Sequence, residues 1–106
     1  MTQFDDREKA FEAKFAHDSE LRFKAEARRN KLLGQWAAGL MGLSGDAAEA
    51  YAKEVVASDF AEAGDEDVFR KVKGDLSAKG VSVADTEIRA QMAGLLETAK
   101  RQLAAG

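Results

Sequence analysis

The sequence predicts an all-α protein, a four-helix antiparallel bundle preceded by a mobile N-terminal helical segment. Three observations support this fold class. The chain contains no proline, and charged residues make up 33% of an alanine-rich sequence, which favours helix throughout. Apolar residues recur at helical spacings of three and four. Glycines separate these amphipathic stretches, and helices joined by short loops pack antiparallel.

Four amphipathic stretches define the bundle domain, residues 19–106. The first helix is predicted to bury one stripe: Leu21, Ala25, Leu32, Leu33, Trp36 and Leu40. The next three helices are predicted over residues 46–63, 65–79 and 85–104. The second should point Phe60 inward. Capping and stop signals support these limits, namely Ser44 or Asp46, Asp65 and Gly80. The stretch around Val81 and Val83 is too short for a strand, so we expect a loop whose two valines pack against the end of the bundle.

Residues 1–18 form a separate N-terminal segment. Phe4, Phe11 and Phe15 recur at spacings of seven and four, so they share one narrow helix face among charged neighbours. Charged residues fall where this stripe would continue into the bundle: Asp18, Arg22 and Arg29. A helix of about 15 residues is marginal alone in water. The pattern therefore predicts a segment that docks into a groove on another protein, with simple extension of the first helix as the alternative.

Composition limits the classes of function. Absence of cysteine excludes disulfides and thiolate metal sites. Without a secretory signal or a transmembrane window, we expect a soluble, cytoplasmic protein that does not insert into the membrane. The net charge of −3 is too small to indicate a class of binding partner, but the charged residues are unevenly distributed. Residues 1–45 carry 8 basic and 7 acidic residues, whereas residues 46–106 carry 8 and 12.

A basic cluster lies early in the first helix. Five basic residues and one glutamate occur within residues 22–31, a composition typical of a solvated helix face. Phe23 falls off the apolar stripe, so it is either exposed or packed against the N-terminal segment. Arg29 and Asp59 project from the apolar sides of their helices, and we hypothesise that they pair across the bundle.

Candidate catalytic groups are sparse. The single histidine, His17, does not share a helix face with Asp18 and Glu20, which disfavours a metal site. A serine nucleophile needs a general base, and the presence of a single histidine disfavours such a pair. The sequence also contains no glycine-rich motif of the kind that binds phosphate. We therefore expect a protein that is not an enzyme and that has no metal or cofactor. The sequence does not determine whether the protein binds ATP or ADP weakly.

Three runs resemble the zeta subunit of α-proteobacterial F-type ATP synthases: Phe4 to Gly42, Ala50 to Phe60 and Glu66 to Leu76. Within them the pieces FDDRE, EAKFAHD, KAEARRN and DVFRK occur in this order. The likeness covers nearly the whole chain. It implies a small four-helix regulatory inhibitor that is peripheral to the membrane-bound enzyme and monomeric when free.

The resemblance also implies a mechanism. It implies that the protein binds the catalytic head and blocks ATP hydrolysis by inserting the N-terminal segment between a catalytic α/β interface and the rotor shaft. The partners would be the α, β and γ subunits. The inhibitory stretch would run from Thr2 to about Ala16, with these contacts: Phe4, Asp5, Asp6, Arg7, Glu8, Phe11, Lys14 and Phe15. We expect a secondary contact at the basic cluster, made by Arg22, Lys24, Arg28 and Arg29.

Two other functions stay open. A helical nucleic-acid-binding regulator would use the basic face Arg22–Lys31, and its affinity would fall steeply with salt. We do not favour nucleic acid as a partner. A small-nucleotide sensor would bind ATP or ADP in the bundle, and nucleotide would then change the fluorescence of Trp36.

Overall fold

The computed structural model describes residues 19–59 and 65–105, and this part of the chain forms four helices. They are α1 Ser19–Leu40, α2 Gly45–Ala57, α3 Glu66–Ala78 and α4 Asp85–Ala105. No strand occurs among the described residues. The all-α, four-helix prediction is therefore confirmed. None of these four helices combines the length and apolarity that a bilayer crossing requires.

Contacts between the helices establish the antiparallel arrangement. From α1 to α2, Asn30 bonds Asp59 while Gly34, one turn later, lies against Ala52. Between α2 and α3 the polar pairs are Tyr51–Asp75 and Glu54–Lys71, and between α3 and α4 they are Lys73–Asp85 and Glu66–Arg89. As the residue number rises on one helix it falls on the next, so sequential helices run in opposite directions.

Two glycines set the turns that follow α1 and α3. Gly42 (φ 78°) and Gly80 (φ 76°) adopt the left-handed conformation that side chains disfavour. In both turns the residue after the glycine donates its N–H to a carbonyl of the last helical turn at 2.9 Å: Leu43 to Ala38 and Val81 to Leu76. These bonds satisfy carbonyls that a helix end leaves free, and the predicted stop at Gly80 is confirmed.

The second helix is shorter than predicted. It covers Gly45–Ala57, so the expected end at residue 63 is wrong. Ser58 Oγ donates to the Val55 carbonyl at 2.6 Å, a local bond that competes with the helical pattern. Asp59 accepts a hydrogen bond from Asn30 of α1 at 3.0 Å, which holds the end of α2 against α1. Phe60, predicted to face inward, lies outside the described residues.

The predicted N-cap residues occupy the N-cap positions, but their side chains do not make capping hydrogen bonds. Ser44 precedes α2 with extended backbone, and Asp65 precedes α3, as predicted. Neither side chain makes the capping hydrogen bond. The Asp65 carboxylate instead accepts a hydrogen bond from Arg29 of α1. This cap position therefore also ties two helices together.

The core lies between the four helices, all of which contribute to it. Its largest fully buried apolar side chains are Leu33, Val55, Val68, Val72, Leu76 and Ile88. Each contributes about 1.5–3 kcal/mol on burial. Val81 and Val83 pack against this core from the α3–α4 loop, as predicted. Helices α1 and α2 approach each other closely at Gly34, where a Cβ would lie 2.6 Å from the Cα of Ala52.

Leu40, the last residue of the predicted α1 stripe, is exposed. Leu40 is 43% exposed, so its predicted burial is wrong. It is the last residue of α1, and the core at this end is filled by Ala37 and Ala38 of α1 and by Met41 and Leu43 of the following turn.

Candidate functional site

The N-terminal turns of α1 extend past the bundle. We call residues 20–24 the α1 overhang. Phe23 within it is 59% exposed, yet Asn30 and Ala37, which follow at intervals of seven, are fully buried. Residues seven apart lie on nearly the same side of a helix. Within the described ranges, the side of α1 that faces the bundle at Asn30 and Ala37 is therefore largely exposed at Phe23.

Two contacts mark the level at which the bundle ends along α1. Arg28 Nη1 donates to Gln102 Oε1, in the last turn of α4, at 3.1 Å. Arg29 Nη2 donates to Asp65 Oδ1, at the start of α3, at 3.0 Å. Ala25, one turn earlier, is still buried. The neighbouring helices thus end at the level of residues 25–29, and the α1 overhang begins beyond them.

The surface of these turns is basic. Arg22, Lys24 and Arg28, three of the four residues predicted as a secondary contact, are exposed. Lys24 Nζ lies 3.2 Å from Glu20 Oε1, one turn away on the same helix. Such an exposed ion pair contributes little stability, so Lys24 can leave it at small cost. Lys31 is exposed as well.

Arg29, the fourth residue of that predicted contact, is not on the surface. Its exposure is 1%, so in the folded bundle its side chain is not accessible for the secondary contact predicted for it. Its Nε donates to Asn30 Oδ1 at 2.6 Å, and its Nη2 forms the ion pair with Asp65. A buried guanidinium needs such partners because desolvation of an unpaired charge is expensive.

Arg29 and Asp59 lie close together, as hypothesised, but they are linked through Asn30 and not by a direct ion pair. Asn30 lies between them: it accepts from Arg29 and donates its Nδ2 hydrogen to Asp59 Oδ2 at 3.0 Å. The result is a polar network that joins α1 to the end of α2 and the start of α3. Asn30 itself is fully buried. We call this set Arg29, Asn30, Asp59 and Asp65 the Arg29 network.

Charge in the Arg29 network is unbalanced, since one guanidinium lies near several carboxylates. Burial raises the pKa of Asp59 above its usual value, and the charges of Asp67 and Asp65 act in the same direction. The hydrogen bond from Asn30 and the charge of Arg29 oppose this rise but do not cancel it. Ionised Asp59 is thus less favoured in the fold than in water.

The sequence profile of the ATPase inhibitor subunit zeta family matches residues 1–102. The chain belongs to this family. A solved chain described as the "Solution NMR structure of the protein" is 56% identical, with a TM-score of 0.73, and the match covers 80% of this chain and 96% of that one. Comparison with curated proteins gives no match.

Membership in the zeta family gives the general function: a regulatory protein that inhibits the ATP synthase. The family match includes the predicted inhibitory segment. Its predicted contacts lie outside the described residues: Phe4, Asp5, Asp6, Arg7, Glu8, Phe11, Lys14 and Phe15. The structure describes the helix that follows this segment directly, α1, and the overhang with which that helix begins.

A second polar cluster joins α2 and α3 of this zeta-family bundle. Tyr51 donates to Asp75 Oδ2 at 2.8 Å, and Lys71 Nζ lies 3.0 Å from the same carboxylate. Burial raises the pKa of the Tyr51 hydroxyl, as do its bond to Asp75 and the nearby acidic charges. The phenol therefore stays protonated and acts as a fixed hydrogen-bond donor between α2 and α3.

Sequence reasoning missed Asn30 and the role of Asp65. Asn30 is not among the predicted site residues, and Asp65 is predicted only as a helix cap. A signal for Asn30 exists in its spacing, since it lies seven residues before the core residue Ala37. In the described ranges 19–59 and 65–105, no group of three or more His, Asp or Glu side chains is placed to hold a metal ion.

Proposed function

We propose that the protein blocks ATP hydrolysis by inserting residues 2–16 of its N-terminal segment at a catalytic α/β interface of the ATP synthase, next to the rotor shaft. The observation that supports this most is the extent of the family match, which begins at residue 1 and so includes the segment. That segment carries the three-phenylalanine face of Phe4, Phe11 and Phe15. The described bundle has a filled core of its own.

The energetics favour a segment that uses both apolar and charged contacts. Burial of three phenylalanines yields roughly 5–9 kcal/mol. Association and ordering cost on the order of 4–15 kcal/mol. Apolar contact alone would therefore bind weakly. The charged residues among the predicted contacts supply the remainder if each meets an opposite charge or a hydrogen-bond partner: Asp5, Asp6, Arg7, Glu8 and Lys14.

Inhibition of this kind needs no catalysis by the inhibitor. A rotary enzyme has to open and close its catalytic interfaces, and a helix ordered inside a closed interface must leave before rotation resumes. The binding free energy of the helix then adds to the barrier for rotation. In this proposal the protein is not an enzyme, carries no cofactor, and acts as a monomer in the cytoplasm on the α, β and γ subunits of the membrane-bound enzyme.

A hydrolysis assay tests the proposal. The isolated catalytic head of the cognate ATP synthase is titrated with the unaltered protein and with a variant that combines Phe4→Ala, Phe11→Ala and Phe15→Ala. We expect the variant to lose inhibition by at least about 1000-fold in concentration, because some 5 kcal/mol of burial is removed. Equal inhibition by both proteins would refute the role of the phenylalanine face.

A matched control uses the same segment. Gln3→Ala and Lys9→Ala change residues that lie about 100° and 140° away from that face on a helix. This control variant should inhibit nearly as well as the unaltered protein. If it loses as much activity as the phenylalanine variant, the segment binds through its general composition and not through one face.

A further inference from the structure

We propose that the α1 overhang is a second docking surface for the inhibited enzyme, with Phe23 as its apolar anchor. This inference rests on the proposed function. It adds a contact outside residues 2–16 and assigns it a partner, an acidic surface with an apolar depression that flanks the cleft occupied by the N-terminal segment.

The geometry of α1 carries the first step. Phe23 and Leu40 are the large apolar side chains that stand exposed in the described part of the chain, and Phe23 is the more exposed at 59%. Bundle cover ends near Ala25, so the overhang projects by roughly one and a half turns, about 7 Å, at about 1.5 Å per residue. A partner can therefore reach around the phenylalanine ring without meeting α2, α3 or α4.

The surroundings of Phe23 carry the second step. A single exposed apolar residue is common and needs no explanation. This one lies between the exposed cations Arg22 and Lys24, with Arg28 one turn further along the helix. An aromatic side chain with a charged rim is the usual arrangement of an interface hot spot. The basic rim selects a partner surface that is acidic around its apolar depression.

Chain connectivity carries the third step. The N-terminal segment leads directly into α1, so an enzyme that holds residues 2–16 also holds the α1 overhang close to its own surface. A second contact formed in this way is intramolecular, and its translational cost has already been met. A modest apolar contact at Phe23 then slows dissociation of the whole protein.

The test compares two variants of the full chain, Phe23→Ala and Leu40→Ala. Both remove an exposed apolar side chain from α1, one at the overhang and one at the far end of the helix. We expect Phe23→Ala to raise the half-inhibitory concentration about 10- to 100-fold, mainly through faster dissociation. Leu40→Ala should inhibit like the unaltered protein. Thermal unfolding should be nearly unchanged in both variants, because neither side chain belongs to the core.

The outcomes separate this inference from the proposed function. If the phenylalanine variant of residues 4, 11 and 15 loses inhibition while Phe23→Ala keeps it, the proposed function stands and the second docking surface is refuted. If the unaltered protein does not inhibit, both fail. Sedimentation of the free protein supplies a further check: self-association that Phe23→Ala abolishes would assign the surface to a second copy and overturn the inference.

Discussion

Removal of the Arg29 side chain tests the Arg29 network most severely. In Arg29→Ala the buried Asn30 Oδ1 loses its donor, which costs about 1–3 kcal/mol. The lost ion pair adds at most about 1 kcal/mol, because the Asp65 side chain is 43% exposed and can be hydrated. Lost packing of the buried aliphatic stem adds to both. We expect a total of about 2–4 kcal/mol.

Chemical unfolding followed by circular dichroism measures this change, and Arg28→Ala is the matched control. Arg28 is the adjacent residue of the same type, but it is exposed, so its loss should cost less than about 0.5 kcal/mol. For a domain of this size, about 2–4 kcal/mol corresponds to a fall in Tm of roughly 8–30 °C. Equal stability of the two variants would refute the structural role assigned to Arg29.

The same variant separates stability from docking. At a temperature where Arg29→Ala remains folded, it should inhibit ATP hydrolysis like the unaltered protein, because the Arg29 guanidinium does not reach the surface. Arg28→Ala should show the reverse pattern, with normal stability and weaker inhibition. Loss of inhibition by folded Arg29→Ala would return Arg29 to the set of partner-binding residues.

Two further predictions concern stability. Gly34→Ala should destabilise the fold by about 1–3 kcal/mol, because its Cβ would lie 2.6 Å from the backbone of Ala52. Gly94→Ala should instead stabilise the fold by about 0.5–1 kcal/mol, because a Cβ at this position of α4 meets no neighbouring atom. Urea unfolding measures both free energies, and a Gly34→Ala variant more stable than Gly94→Ala would contradict the packing described. Asp59→Asn keeps an acceptor for Asn30 but cannot ionise. Since the folded-state pKa of Asp59 is raised, the unaltered protein should lose stability relative to Asp59→Asn as pH rises above about 4 and through that raised pKa; a pH-independent difference would contradict it.

Periodicity predicted the helices well because each buries a regular apolar stripe. Val68, Val72 and Leu76 recur at helical spacing and are all fully buried or nearly so. The end of α2 could not be predicted in this way. It depends on the Ser58 hydroxyl, which donates back to a carbonyl of the helix, and on a hydrogen bond that Asp59 accepts from Asn30 of α1. The second of these bonds joins residues 29 positions apart, and local sequence does not show it.

The position of Arg29 shows why charge alone is an unreliable guide to a surface. The charge of Arg29 interrupts the apolar stripe that begins at Phe4, and this interruption is one reason why the sequence predicts an N-terminal segment separate from the bundle. The structure buries Arg29 on the core-facing side of α1, because a carboxylate 36 residues away neutralises it. A charged residue at that helical phase therefore does not by itself divide the two stripes.

Phe23 marks the limit of what the pattern could determine. The sequence left it either exposed or packed against the N-terminal segment, since exposure depends on where the neighbouring helices end. The structure fixes those ends through Gln102 of α4 and Asp65 of α3. The contacts predicted within residues 2–16 stay predictions, supported by the phenylalanine spacing and by the family match.

Photo-crosslinking tests the central claim most directly, because the chain has no cysteine and accepts a single label. A crosslinker is attached at Ala10→Cys in the N-terminal segment, or at Ser77→Cys, an exposed residue of α3 at the end of the bundle away from the overhang. During inhibition, the label at residue 10 should join the protein to the α, β or γ subunit, and the label at residue 77 should not. Crosslinks from residue 77 alone, or from residue 10 only to the protein's own bundle, would contradict insertion of the segment.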